Sequence, residues 1–99
     1  MPDLFGKLSQ LQYVLLQGNQ FTGSVPPSLG QCPRLESLFL NDNQINGVVP
    51  VEQLRQCVKL EYLCFAGNAK LTVSLAEKAR LVSSLPRIKK QTWPDDPPP

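Results

Sequence analysis

The stretch LSQLQYVLLQGNQFTGSVPPSLG, residues 8–30, decides the fold because its pattern returns further along the chain. Asn19 is followed by Asn43 and Asn68, at spacings of 24 and 25 residues. Ahead of each asparagine, apolar residues stand at the same offsets: Leu11, Val14 and Leu16, then Leu35, Leu38 and Leu40, then Leu60, Leu63 and Phe65. A repeat of this length is typical of units that stack on one another, because one unit cannot bury its own apolar edge.

The segment after each asparagine also repeats, although less completely. Residues 21–26 and 45–50 share an apolar residue, a glycine, a valine and a proline at matching places. The third copy keeps Leu71 and Val73 but loses the glycine and the proline. A fourth, degenerate copy follows at the same spacing and contains Val82, Leu85 and Ile88. In this copy Trp93 is predicted to occupy the position of the asparagine.

Each unit has a simple physical interpretation. Alternation of apolar and polar residues before the asparagine is typical of a short, half-buried strand. The asparagine amide has two donor hydrogens and one acceptor oxygen, so it can satisfy backbone groups that the following turn leaves unpaired. The prolines at Pro26 and Pro50 exclude a helix interior, because proline lacks the backbone donor. They predict an extended or short 3₁₀ return segment.

The motif resembles the leucine-rich repeat, and specifically its plant-type variant, L-x-x-L-x-x-L-x-L-x-x-N-x-L-x-G-x-I-P-x-x-L-G. The best copy runs from Leu8 to Gly30, and a second runs from Cys32 to Leu54. The resemblance implies an α/β-type solenoid. It would be a right-handed coil with a short parallel β-sheet on the concave face and extended or 3₁₀ segments on the convex face.

The repeats divide the chain as follows. Residues 1–90 are predicted to form the solenoid: 1–7 the end of a truncated repeat, 8–31, 32–56 and 57–81 the repeats, and 82–90 a degenerate capping strand. Residues 91–99 are predicted to be a proline-rich tail. Within the third repeat, residues 75–82 read as a short amphipathic helix with Ser74 as its N-cap.

The variable strand positions are the candidate binding residues, because the resemblance implies that they line the concave face. Those selected are Tyr13, Leu15, Gln17, Ser37, Phe39, Asn41, Asp42, Tyr62 and Cys64. The 25-residue spacing continues the row of Tyr62 to Arg87 and the row of Cys64 to Lys89. The aromatic content is typical of protein-binding surfaces, although isolated exposed apolar residues occur without any partner.

The asparagines and two of the cysteines are predicted to be structural. Asn19, Asn43 and Asn68 recur with the repeat, which favours a ladder of backbone contacts over ligand binding. Cys32 and Cys57 occupy matching core positions, where buried free thiols are favoured and a disulfide is geometrically compatible. Cys64 is expected on the concave face, as a thiol with few cations around it.

Composition narrows the function classes. The 99 residues contain no histidine and carry a net charge of +2. The absence of histidine excludes Ser-His-Asp and Cys-His catalysis and histidine-containing zinc sites. No metal or cofactor motif is present, the charge is too small to predict nucleic-acid binding, and no apolar run is long enough to cross a membrane.

Two functions remain open. The first is a non-catalytic protein- or peptide-binding module, which the resemblance implies is part of a receptor-like signalling protein, extracellular or membrane-attached, whose longer parent could carry a kinase domain. The second is a remnant of a truncated gene with no ligand, which self-associates through an uncapped N-terminal coil. If the chain is complete, a cytosolic location is expected, because residues 1–7 lack a secretory signal.

Overall fold

Short parallel strands, one for each repeat, form the main feature of the fold. The computed structural model describes residues 5–96. Its strands are β1 (Tyr13–Leu15), β2 (Ser37–Phe39), β3 (Asn46–Val48), β4 (Tyr62–Cys64), β5 (Lys70–Thr72) and β6 (Lys90–Thr92). The α-helices are α1 (Val51–Leu54) and α2 (Leu75–Ser83), and 3₁₀ helices span Phe5–Lys7 and Pro27–Gln31.

The strands form two parallel sheets. The main sheet has the order β1-β2-β4-β6, so each repeat adds one strand next to the strand of the repeat before it. A second sheet pairs β3 with β5. The sequence did not predict this second sheet, because a three-residue segment is too short for the alternation of a strand to be recognised.

The core lies between the main sheet and the helices. Side chains at the repeated apolar positions, including Leu35, Leu40, Leu60 and Phe65, are fully buried. Leu29 and Leu54 are buried from the helical side, and the helices that carry them pack against each other. These arrangements agree with a solenoid-like α/β repeat in which each unit covers the next.

The return segments differ from one another. Pro27–Gln31 is a 3₁₀ helix, one of the two forms predicted for it. The prediction of an extended or 3₁₀ segment after Pro50 was wrong, because α1 is a single α-helical turn. Helix α2 starts with the predicted N-cap: the Ser74 hydroxyl accepts from the Glu77 N–H at 3.2 Å, and the Glu77 carboxylate completes a capping box. Of the residues described, none belongs to a helix long and apolar enough to span a membrane.

The predicted register of the last strand was wrong. Lys90 lies opposite Tyr62, so the last repeat has a spacing of 28 residues instead of 25. Helix α2 explains the difference: it has nine residues where α1 has four. A helix rises only about 1.5 Å per residue, so a longer helical return uses more chain.

The predicted boundary between residues 90 and 91 was also wrong. Gln91 and Thr92 belong to β6, and Trp93 is buried against Phe65. Trp93 therefore stands at the position of Phe65, and Asp96 at the position of Asn68. The residues of the predicted tail that follow, 97–99, lie outside the described range, as do residues 1–4 of the predicted truncated repeat.

Candidate functional site

The outer face of the main sheet carries most of the candidate binding residues. In β1 the burial alternates, with Tyr13 and Leu15 exposed and Val14 buried in the core. The in-register partners of Tyr13 are Ser37 and then Tyr62, and those of Leu15 are Phe39 and then Cys64. The two rows therefore run side by side across the sheet, as the spacing predicted for the first three repeats.

Four of these residues form a continuous apolar surface. Tyr13 and Leu15 are 56% and 57% exposed, and Phe39 and Tyr62 are half-buried. The rings of Phe39 and Tyr62 stack with centroids 6.2 Å apart and an interplanar angle of 27°. We call this group, Tyr13, Leu15, Phe39 and Tyr62, the sheet patch.

Two small residues predicted on this face are not available to a ligand. Ser37 and Cys64 are only 7% and 5% exposed. Each small side chain has larger in-register neighbours: Ser37 lies between the two tyrosines, and Cys64 lies between Phe39 and Thr92. The expectation of an accessible Cys64 thiol was therefore wrong. Burial raises the pKa of this thiol, against smaller lowering effects of Thr92 and Lys90.

The remaining candidates lie where the strands turn. Gln17 and Asp42 are exposed, and Asn41 is half-buried. The Asn41 amide donates to the Asp42 carboxylate at 3.0 Å, and Asp42 has a φ of 59°, a left-handed conformation that aspartate tolerates better than most residues. The Asn41 Oδ1 atom is buried and has no hydrogen-bond partner within residues 5–96. These polar groups border the sheet patch at one edge.

The register of β6 corrects the last member of each row. Lys90 and Thr92, rather than Arg87 and Lys89, lie beside Tyr62 and Cys64. Lys89 instead forms an ion pair with Glu61 at 3.0 Å, and this contact raises the pKa of Lys89. Sequence reasoning did not place Lys90 and Thr92 in these two rows, and the available signal was the length of the helical segment before them.

The repeated asparagines bridge neighbouring repeats. The Asn68 amide donates to the carbonyls of Leu40 and Phe65, both at 2.9 Å, and its oxygen accepts from the Ile45 N–H at 3.1 Å. Asn43 repeats this pattern one unit earlier. Asn19 is exposed, and its amide donates to the carbonyls of Leu16 and Gln17, which belong to its own repeat. This ladder explains why asparagine recurs at Asn43 and Asn68, because both the NH₂ group and the oxygen of the side-chain amide form hydrogen bonds there.

The cysteines are free thiols. Cys32 and Cys57 are buried at matching positions and donate to the carbonyls of Phe5 and Leu29, at 3.4 and 3.3 Å. Burial, with a smaller effect of Cys32, raises the pKa of Cys57 to about 12. Such thiols are poor nucleophiles at neutral pH, because the thiolate is the reactive form. Within residues 5–96, no cluster of three or more acidic or cysteine side chains could hold a metal ion.

Comparison with known families agrees with this architecture. Residues 9–49 match the family model for leucine-rich repeats, in two copies. That segment includes β1, β2 and the return segment between them, so the match and the sheet describe the same repeating unit. Together they show that residues 9–49 are similar to leucine-rich repeats, whose domains generally mediate protein–protein interaction. A search of curated proteins gave no significant match.

Proposed function

We propose that this chain is a non-catalytic module that binds a protein or peptide through the sheet patch. The supporting observation is the apolar surface on which Tyr13 and Leu15 are more than half exposed beside the stacked pair Phe39 and Tyr62. Aromatic anchors of this kind carry most of the affinity at protein interfaces. In the proposed right-handed solenoid, this sheet face is the concave one.

The plant-type, receptor-like character is a further part of the proposal. It is supported by the motif shared by residues 19–26 and 43–50, in which asparagine is followed by glycine, valine and proline. We propose repeats at 8–31, 32–56 and 57–84, because Leu85 stands at the position of Cys57, followed by a terminal strand that extends to Thr92. The parent would be an extracellular or membrane-attached recognition protein that uses these repeats in signalling. Any catalytic activity would belong to a separate domain of that parent.

Selection from a random peptide library tests the binding proposal, because it supplies ligands for the chain directly. Peptides are selected on the wild-type chain and then titrated against a Tyr13→Ala, Phe39→Ala, Tyr62→Ala variant. We expect the variant to lose at least tenfold in affinity, because truncating an interface anchor typically costs about 2 kcal/mol. Circular dichroism and urea unfolding confirm that the variant is folded.

Exposed apolar residues away from the sheet patch provide the matched control. Val48, Val58 and Leu75 are all substantially exposed, and their alanine variants should keep wild-type affinity. If the selected peptides bind the sheet-patch variant as well as they bind the wild-type chain, the proposed site is wrong. If the control variants lose the same affinity, the peptides bind through nonspecific hydrophobic contacts instead of through this face.

The alternative function, self-association without a ligand, rests on the first repeat. Leu8 is 45% exposed, and Leu11, Leu16 and Phe21 are only half-buried, whereas their counterparts in the next repeat are fully buried. We expect this alternative to appear as concentration-dependent mass in sedimentation equilibrium, abolished by Leu8→Lys. Val58→Lys is the control, because Val58 has similar exposure, 48%, on another surface. A chain that stays monomeric at all concentrations contradicts this alternative.

A further inference from the structure

The turns that lead into the strands of the main sheet share one geometry. In each turn a backbone N–H donates to the carbonyl three residues earlier: Leu11 to Leu8 at 2.9 Å, Leu35 to Cys32 at 3.1 Å, Leu60 to Cys57 at 3.0 Å and Ile88 to Leu85 at 3.2 Å. The strands that follow are in register. The turns therefore stack on one another, and equivalent positions in them are neighbours.

One equivalent position carries a cation in three successive turns. Arg34, Lys59 and Arg87 each stand three residues before the in-register residues that begin β2, β4 and β6. Neighbouring strands lie about 4.8 Å apart, so the three positions span about 10 Å in a line. We call these residues the basic row. The longer last repeat creates it, because a 25-residue spacing would place Arg87 in a different row.

The charges of the basic row are not neutralised by the surrounding fold. All three side chains are exposed, and none forms an ion pair with any residue between 5 and 96. The nearest acids in sequence are Glu36 and Glu61, and Glu61 is already paired with Lys89 at 3.0 Å. Three aligned like charges repel one another, and an anionic partner would relieve that repulsion.

We propose that the basic row binds an extended, acidic segment of a partner protein. Carboxylates on flexible side chains can each reach one cation, and arginine can hold a carboxylate with two hydrogen bonds. A nucleic acid fits less well. None of the turn residues at 33–34, 58–59 and 86–87 is an aromatic side chain on which a base could stack. This surface is separate from the sheet patch and does not depend on the function proposed for it.

Fluorescence anisotropy with a labelled octaglutamate peptide at low salt tests the proposal. The row variant is Arg34→Gln, Lys59→Gln, Arg87→Gln. The control variant is Lys7→Gln, Lys70→Gln, Arg80→Gln, which removes the same charge from exposed positions outside the row and outside the sheet patch. We expect the row variant to bind about tenfold more weakly, from three exposed contacts, and the control to stay within about twofold of wild type. Affinity should fall as salt is added.

Single substitutions test the alignment itself. Arg87→Gln should weaken binding about as much as Lys59→Gln if both belong to one row. Equal loss in the row and control variants would show that net charge alone is responsible, and the proposal would be wrong. It would also be overturned if the wild-type chain showed no saturable binding of octaglutamate at millimolar concentrations. If a single-stranded DNA octamer binds more tightly than the peptide, the partner of the basic row is a nucleic acid and the proposed acidic segment is wrong.

Discussion

Trp93 stacks on Phe65, with ring centroids 6.4 Å apart and an interplanar angle of 29°. The Phe65 N–H donates to the carbonyl of Thr92 at 3.1 Å, so the two aromatic residues follow paired strands at the same position. Lys78, from helix α2, lies 5.8 Å from the Trp93 ring centroid and pairs with Asp95 at 2.7 Å. Trp93 thus covers the last repeat of the described chain with an apolar ring that is itself covered by charged side chains.

Replacing Trp93 with alanine should destabilise the chain by about 3–5 kcal/mol, because a large buried ring leaves a cavity against Phe65. Urea unfolding followed by circular dichroism measures this. Leu75→Ala is the control: Leu75 is 82% exposed, and its loss should change the free energy of unfolding by less than about 0.5 kcal/mol. Equal effects of the two substitutions would show that Trp93 is not part of the core.

The asparagine ladder predicts a graded series. Asn68→Ala should cost about 2–4 kcal/mol, because it leaves the Ile45 N–H and the Leu40 and Phe65 carbonyls without this partner in a buried place. Asn43→Ala should cost somewhat less, and Asn19→Ala the least, since Asn19 is exposed. The midpoints of urea unfolding give the order. A uniform cost across the three positions would contradict the bridging role.

The buried Cys57 thiol predicts a loss of stability at alkaline pH. Its pKa is raised from 9.0 to about 12 in the folded chain, so between these values the unfolded chain releases the proton first. Fewer protons bound in the unfolded state mean that the free energy of unfolding falls as pH rises through this window, by up to about 1.4 kcal/mol per pH unit for one group.

A Cys57→Ala variant isolates the contribution of this thiol, because every other ionisable side chain remains in it. Urea unfolding of both proteins is measured at a series of pH values between 8 and 11, on either side of the ordinary thiol pKa of 9.0. The free energy of unfolding should fall less steeply with pH for the variant than for the wild-type chain. Parallel curves for the two proteins would mean that Cys57 is solvated in the folded chain.

Two glycines with similar backbone conformations should respond differently to alanine. Gly18 has a φ of +70° with no atom within 4 Å of an added Cβ, so Gly18→Ala should cost only the strain of a left-handed residue, about 1–2 kcal/mol. Gly67 has a φ of +80°, and its added Cβ would overlap the carboxylate and backbone of Asp42. Gly67→Ala should therefore be clearly more destabilising in thermal unfolding.

An Asp42→Gly background tests the cause of that difference. Removing the Asp42 side chain should recover part of the cost of Gly67→Ala, because the closest overlap disappears. It should leave the cost of Gly18→Ala unchanged. If the two effects at positions 42 and 67 are additive, the overlap is not the cause.

The sequence by itself determined the repeat, the main-sheet strand of each of the first three units and the structural asparagine. These features follow from local chemistry: alternating apolar residues form a half-buried strand, and an amide with donors and an acceptor closes the turn. The in-register row of Tyr13, Ser37 and Tyr62 could also be predicted, because the two repeats that separate these residues differ in length by only one residue. The N-cap at Ser74 has an equally local origin.

Tertiary structure alone decided the burial of Ser37 and Cys64, the pairing of β3 with β5, and the register of β6. Burial depends on the size of in-register neighbours that are distant in sequence. The three extra residues of the last repeat are accommodated by α2, which packs against α1, so no fixed spacing could place Lys90 beside Tyr62 or align Arg87 with Lys59. Position along the chain determines which residues repeat, and packing between the repeats determines which of them become neighbours.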